Sequence, residues 1–108
     1  MEELLAAVNQ FRDERNWRQF HNPKDLSLSL SLEASELLEN FQWKTSEEAV
    51  ATTLPNIKEE LADVFIYGMM LATDLDLDLS EIILAKLVKN AEKYPIEASK
   101  GHKGKDGI

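Results

Sequence analysis

From Leu26 to Leu32, leucines alternate with Ser27, Ser29 and Ser31, the two-residue period of a half-buried strand. Beyond Glu33, Leu37, Leu38 and Phe41 recur at helical spacing instead. A strand here would have to turn directly into a helix at Glu33, with no Gly, Pro or Asn between them. Wound at about 100° per residue, Leu26, Leu30, Ala34, Leu37 and Phe41 fall on one stripe, and Leu28 and Leu32 on another. The pattern therefore predicts one helix from about Pro23 to Gln42, capped by Asn22 with Pro23 in its first turn. Apolar contacts on two sides imply a central place in a bundle or an oligomer interface.

The same periodicity organises the rest. Leu4, Leu5, Val8 and Phe11 share a face of a helix from Glu2 to about Arg15. After Trp43, the segment KTSEEAVATTLPN reads as a connection with a short helix, in which Thr45 and Glu48 fit a capping box. A third helix runs from about Asn56 to Thr73 and is apolar nearly all round from Val64 to Ala72, so burial is expected there. DLDLDLS alternates like a strand, but its aspartates and Ser80, a suitable N-cap, fit a helix-to-helix connection. A fourth helix spans about Ser80 to Lys93, and Pro95 ends it. Three of the four glycines lie in the last eight residues. The expectation is an all-α domain of four main helices over residues 1–95, with a mobile Gly- and Lys-rich tail over 96–108.

Composition narrows the classes. A chain of 108 residues supports one core. It has no cysteine, which removes disulfides and thiolate metal sites and suits a reducing cytoplasm. No apolar run is long enough for a membrane span, and the acidic start, MEELLAAVNQ, is unlike a secretory signal. The formal net charge of −8 argues against general nucleic-acid binding. A polyanionic small substrate requires a metal ion or a local lysine cluster to reverse the field.

The sequence offers residues for both. Glu33 and Glu36 are three apart on the second helix, and Glu33 lies within the Leu30–Leu37 stripe. Glu60 and Asp63 repeat the spacing on the third, where Glu60 shares a stripe with Ile57 and Val64. If the two helices are antiparallel neighbours, four carboxylates meet. Two carboxylates about 5 Å apart repel by roughly 3 kcal/mol at an effective dielectric near 20, so such a cluster either protonates or binds a cation. Carboxylate-only ligation suits Mg²⁺, Mn²⁺ or Ca²⁺, with Mg²⁺ the best fit and Mn²⁺ a substitute. Neither pair has the histidine of a di-iron Glu-x-x-His motif. Lys86, Asn90 and Lys93 line one stripe of the fourth helix, followed by Tyr94, and suit phosphate oxygens and a sugar hydroxyl. Trp17, Phe20, His21 and Trp43 sit at helix ends, where tryptophan faces suit the walls of a base-stacking pocket. His21 alone suits capping or core contacts better than catalysis.

Taken in order, SLEASELLENFQW and IKEELADVFIY, with ERNWRQFHNP before them and KLVKNAEKYP at the end, resemble the MazG-like all-α nucleoside triphosphate pyrophosphohydrolases, most closely their dCTP pyrophosphatase branch. The resemblance covers about Phe11 to Pro95. It implies an oligomeric helical bundle, tetramer favoured over dimer, that cleaves a nucleoside triphosphate to monophosphate and pyrophosphate with Mg²⁺. It assigns Glu33, Glu36, Glu60 and Asp63 to metal binding, Lys86, Asn90, Lys93 and Tyr94 to phosphate and sugar, and Trp17, His21 and Trp43 to the base. Glu36 or Glu33, where metal leaves one free, is the carboxylate to orient or deprotonate the attacking water. Val8 stands where vertebrate relatives have a histidine, which bears on base selectivity. Broad nucleotide acceptance, or a bundle that binds nucleotide or a protein partner without catalysis, are the competing readings.

Overall fold

The computed structural model describes residues 1–101; of the tail expected over 96–108, residues 102–108 lie outside them, while Ile96–Ser99 form a short helix. Among the described residues every regular element is helical: α1 (Glu2–Glu14), a 3-10 turn (Trp17–Phe20), α2 (Pro23–Glu39), α3 (Ser46–Asp74), α4 (Leu79–Lys93) and a short α5 (Ile96–Ser99). The leucine–serine alternation is thus helical. Asn22 starts α2 by accepting from the Asp25 amide, with Pro23 in the first turn. Ser27 and Ser35 satisfy their hydroxyls on the carbonyls of Pro23 and Ser31, one turn back.

α2 ends three residues earlier than its apolar stripe suggests. Buried Asn40 turns its amide back onto the carbonyls of Glu36 and Leu37, and its Oδ1 accepts from Asn56 at 2.8 Å. Asn40 opposite Asn56, Glu33 opposite Glu60 and Leu30 beside Gly68 make α2 and α3 antiparallel neighbours.

α3 holds the expected short helix and third helix as two stretches joined at a kink. Thr45 caps the first by accepting from the Glu48 amide. At Thr53 the backbone leaves helical geometry (φ −127°, ψ 16°), and Pro55 then falls early in the second stretch, where its missing N–H is tolerated. Burial over Val64–Ala72 departs from expectation in being one-sided: Met69, Met70 and Ala72 are buried, whereas Phe65 is 57% exposed.

α1 lies against α3 through Val8 and Arg12. The chain divides into two units, one of Met1–Leu77 and one beginning at Asp78. In the second, Asp78 rather than Ser80 caps α4, accepting from the Glu81 amide at 3.0 Å. No helix among the described residues is long and apolar enough to cross a membrane.

Candidate functional site

The antiparallel pairing of α2 and α3 sets the acidic residues of the two helices opposite each other. Glu33, Glu36 and Glu60 each offer an oxygen, and these oxygens lie within 4.8 Å of one another. Glu33 and Glu60 are half-buried, and each has one fully buried oxygen, Oε2, with no hydrogen-bond donor. A carboxylate oxygen can only accept, so two of them facing each other in a buried place need a proton or a cation.

The electrostatics agree. Burial, and then the carboxylates of Glu60 and Glu36, push Glu33 up to about 7. Glu60 is raised too: contact with Glu33, the largest single influence, lowers it, but burial and repulsion from Glu36 and Asp63 outweigh that. Asp63, one turn along α3, contributes to the field of both glutamates while remaining outside the close trio. These donors fit a hard divalent cation: all are carboxylate oxygens, and two lack any other partner.

Asp63 also lines a cavity of about 390 Å³ in the first unit. α1 contributes Ala7, Val8 and Phe11, α3 contributes Asp63, Ile66, Tyr67 and Met70, and Trp17 comes from the 3-10 turn. The walls are almost wholly apolar, with the Asp63 carboxylate and the Tyr67 phenol the ionisable groups among them. Burial, reinforced by the charges of Glu33 and Asp63, raises the phenol, so it stays protonated at neutral pH. Phe11 and Trp17 meet edge to face at 5.6 Å, and the Arg15 guanidinium stacks 3.8 Å above Phe11.

Of the aromatic candidates, Trp17 lines the cavity, whereas Trp43 is 99% exposed in the turn after α2 and His21 stands at the end of the 3-10 turn. Lys86, Asn90 and Lys93 share α4, and Tyr94 caps it through its amide on the Asn90 carbonyl, with Lys93 Nζ 5.3 Å from the Tyr94 ring.

The sequence reading passed over Arg12, which is 0% exposed. Its guanidinium grips Asp74 at 2.6 and 3.1 Å, its Nε donates to Asn9 Oδ1, and Nη1 also reaches His21 Nδ1 at 3.3 Å. Asn9 in turn donates to Leu5 O and Thr73 Oγ1. A signal was there: Arg12 continues the Leu5–Val8 stripe of α1, where an arginine is out of place unless paired.

The MazG-like family matches residues 28–106. The chain is 37% identical over 106 residues to dCTP pyrophosphatase 1 of Mus musculus, covering 94% of this chain and 62% of that protein. It is 38% identical over 100 residues to dCTP pyrophosphatase 1 of Homo sapiens, covering 88% and 59%. The chain thus spans about three fifths of the length of these curated relatives. The crystal structure of a pyrophosphatase from Archaeoglobus fulgidus superposes with a TM-score of 0.83 at 41% identity, covering 88% of this chain and 92% of that one.

Proposed function

Because the chain belongs to the MazG-like family, we propose that it is a Mg²⁺-dependent pyrophosphohydrolase that cleaves a deoxynucleoside triphosphate, dCTP or a close relative, to the monophosphate and pyrophosphate. The observation that carries this reading is the Glu33–Glu36–Glu60 cluster with its two buried, partnerless oxygens. Relatives named dCTP pyrophosphatase 1 support the substrate class.

Glu33, Glu36, Glu60 and Asp63 would hold the metal, with Mn²⁺ a substitute for Mg²⁺, and an ion there would supply positive charge against the triphosphate and the leaving pyrophosphate. Glu36 is exposed where Glu33 and Glu60 are half-buried, which suits it to orient the attacking water and accept its proton; Glu33 is the alternative base. The cavity beside Asp63 receives the base against Trp17; His21 and Trp43, which the family resemblance assigns to the base, lie outside its lining. Lys86, Asn90, Lys93 and Tyr94 supply cationic and neutral donors for phosphate oxygens and the sugar. The working form is a homo-oligomer, a tetramer in preference to a dimer, acting in the cytoplasm on the nucleotide pool. Exposed Leu28 and Leu32 on α2 and Leu61 and Phe65 on α3 support self-association.

The wholly apolar α1 wall of the cavity, with Val8 at its centre, favours a second reading within the same chemistry: a pocket that grips bases by stacking and accepts several. Release of pyrophosphate and monophosphate from each dNTP and NTP, with and without Mg²⁺, separates the two. A steep ranking led by dCTP supports the first and a flat one the second. No turnover of any nucleotide by folded, Mg²⁺-loaded protein would leave a binding module and refute both.

A further inference from the structure

Arg15 carries a cation that this acidic chain does not pair with an acid. Among the described residues no carboxylate comes within ion-pair distance of it, although Asp13 and Asp74 both approach the neighbouring Arg18. Its guanidinium lies instead 3.8 Å from the centroid of the Phe11 ring and 5.9 Å from that of Trp17. Its Nη1 donates to the Phe11 carbonyl, in the last turn of α1, at 2.8 Å. One contact ties the guanidinium to the backbone and the other lays it on the ring, so a long flexible side chain is held in one place.

The local backbone makes this arrangement possible. Asn16 takes the left-handed conformation (φ 55°, ψ 36°), which asparagine tolerates better than most residues, and the chain passes there from α1 into the 3-10 turn. Trp17 comes back against Phe11, six residues before it, and the two rings meet edge to face at 5.6 Å. Both line the cavity beside Asp63. Neither is packed into a core: Phe11 is 47% exposed and Trp17 40%. Burial therefore does little to order this wall, and its order depends on the contacts among Phe11, Trp17 and Arg15.

We propose that Arg15 is a positioning residue for nucleotide binding: stacked on Phe11 and anchored to its carbonyl, it holds the Phe11–Trp17 pair as a preformed wall of the cavity. This rests on the reading of that cavity as the base site, and deepens it by naming what readies the site. A base meets a wall already ordered, so binding does not have to order it. The role is confined to binding, because the clustered carboxylates stand on α2 and α3 whereas Arg15 follows α1.

The test joins the state of the tryptophan to binding and turnover. Indole N–H resonances of Trp17 and Trp43 are told apart with a Trp43→Phe sample. Trp17 should give one sharp signal away from the free-indole position in the wild type, and should broaden or move toward that position in Arg15→Ala. The same variant should raise KM for dCTP about fivefold with kcat within about twofold, the signature of lost uniform binding. Arg15→Lys, which returns a cation to the ring face, should recover most of the loss. The Kd of dCMP, measured by calorimetry, should rise in Arg15→Ala by the same factor as KM for dCTP, because the wall acts on the base. A loss confined to the triphosphate would make Arg15 a phosphate contact and overturn the proposal. An unchanged Trp17 signal or an unchanged KM in Arg15→Ala would overturn it as well. Absence of turnover by the wild type, with dCMP still bound more weakly by Arg15→Ala, would refute the functional reading and leave the positioning role standing; absence of turnover and of nucleotide binding would refute both.

Discussion

Glu33 occupies a place on α2 where the Leu30–Leu37 stripe would accept another apolar residue, and its charge is tolerated only with a proton or a cation beside it. The sign of the consequence is definite. Its folded-state value, near 7, lies above that of an unfolded glutamate, so between the ordinary carboxylate range and about 7 the folded chain holds a proton the unfolded chain has released. Metal-free protein should therefore lose stability as pH rises through that window and level off above it. Thermal melts in chelator across the range check this; Glu33→Gln should flatten the dependence, and Mg²⁺ should raise the melting temperature most above pH 7. Asp74 behaves in the opposite sense. Arg12 depresses its carboxyl, so the stability it contributes is present above the ordinary value and lost as pH falls through the folded one. Arg12→Ala, which leaves Asp74 only the Arg18 guanidinium 3.9 Å away, should cost about 1–3 kcal/mol in urea denaturation.

At the scale of the elements, the α2–α3 hairpin carries the site, and its register is held by a polar clamp as well as by leucines. Asn56→Ala should leave the buried Asn40 Oδ1 without a donor and destabilise by about 1–3 kcal/mol, measured by the denaturant midpoint at unchanged slope. Much of this level was legible in the sequence. Four-residue recurrence outranked the alternation of Leu26–Leu32 because no turn residue separated it from Glu33, and Asn22–Pro23 marked the start of α2. Spacing put Glu33 with Glu36 and Glu60 with Asp63 on one side of their helices, and the antiparallel pairing of α2 and α3 brings Glu33, Glu36 and Glu60 together. What was hidden depended on tertiary context. Pro55 marked a helix boundary, but the kink itself sits two residues earlier, at Thr53, and the sequence does not show that. Asp78 and Ser80 are both competent caps, and only the backbone selects Asp78. Arg12 lies on the Leu5–Val8 stripe of α1, but its partner Asp74, 62 residues away, could be identified only once the fold brought them together.

The molecule as a whole presents more apolar surface than a helical chain of this size needs to leave uncovered. Leu28, Leu32 and Leu38 on α2 and Leu61 and Phe65 on α3 are 44–65% exposed, on the two helices that carry the carboxylates. The proposed self-association would cover these faces, the second apolar stripe of α2 among them. If it does, Leu32→Glu with Phe65→Glu should sediment as a smaller species than the wild type, and wild-type melting should rise with protein concentration. The central claim concerns what the clustered carboxylates do to a triphosphate. ³¹P NMR of dCTP incubated with the protein and Mg²⁺ tests it most directly, beside Glu60→Gln under the same conditions. The account predicts equimolar dCMP and pyrophosphate from the wild type, none in chelator, and a rate at least about 100-fold lower in the variant. Release of orthophosphate and dCDP, or undiminished turnover by Glu60→Gln, would contradict it.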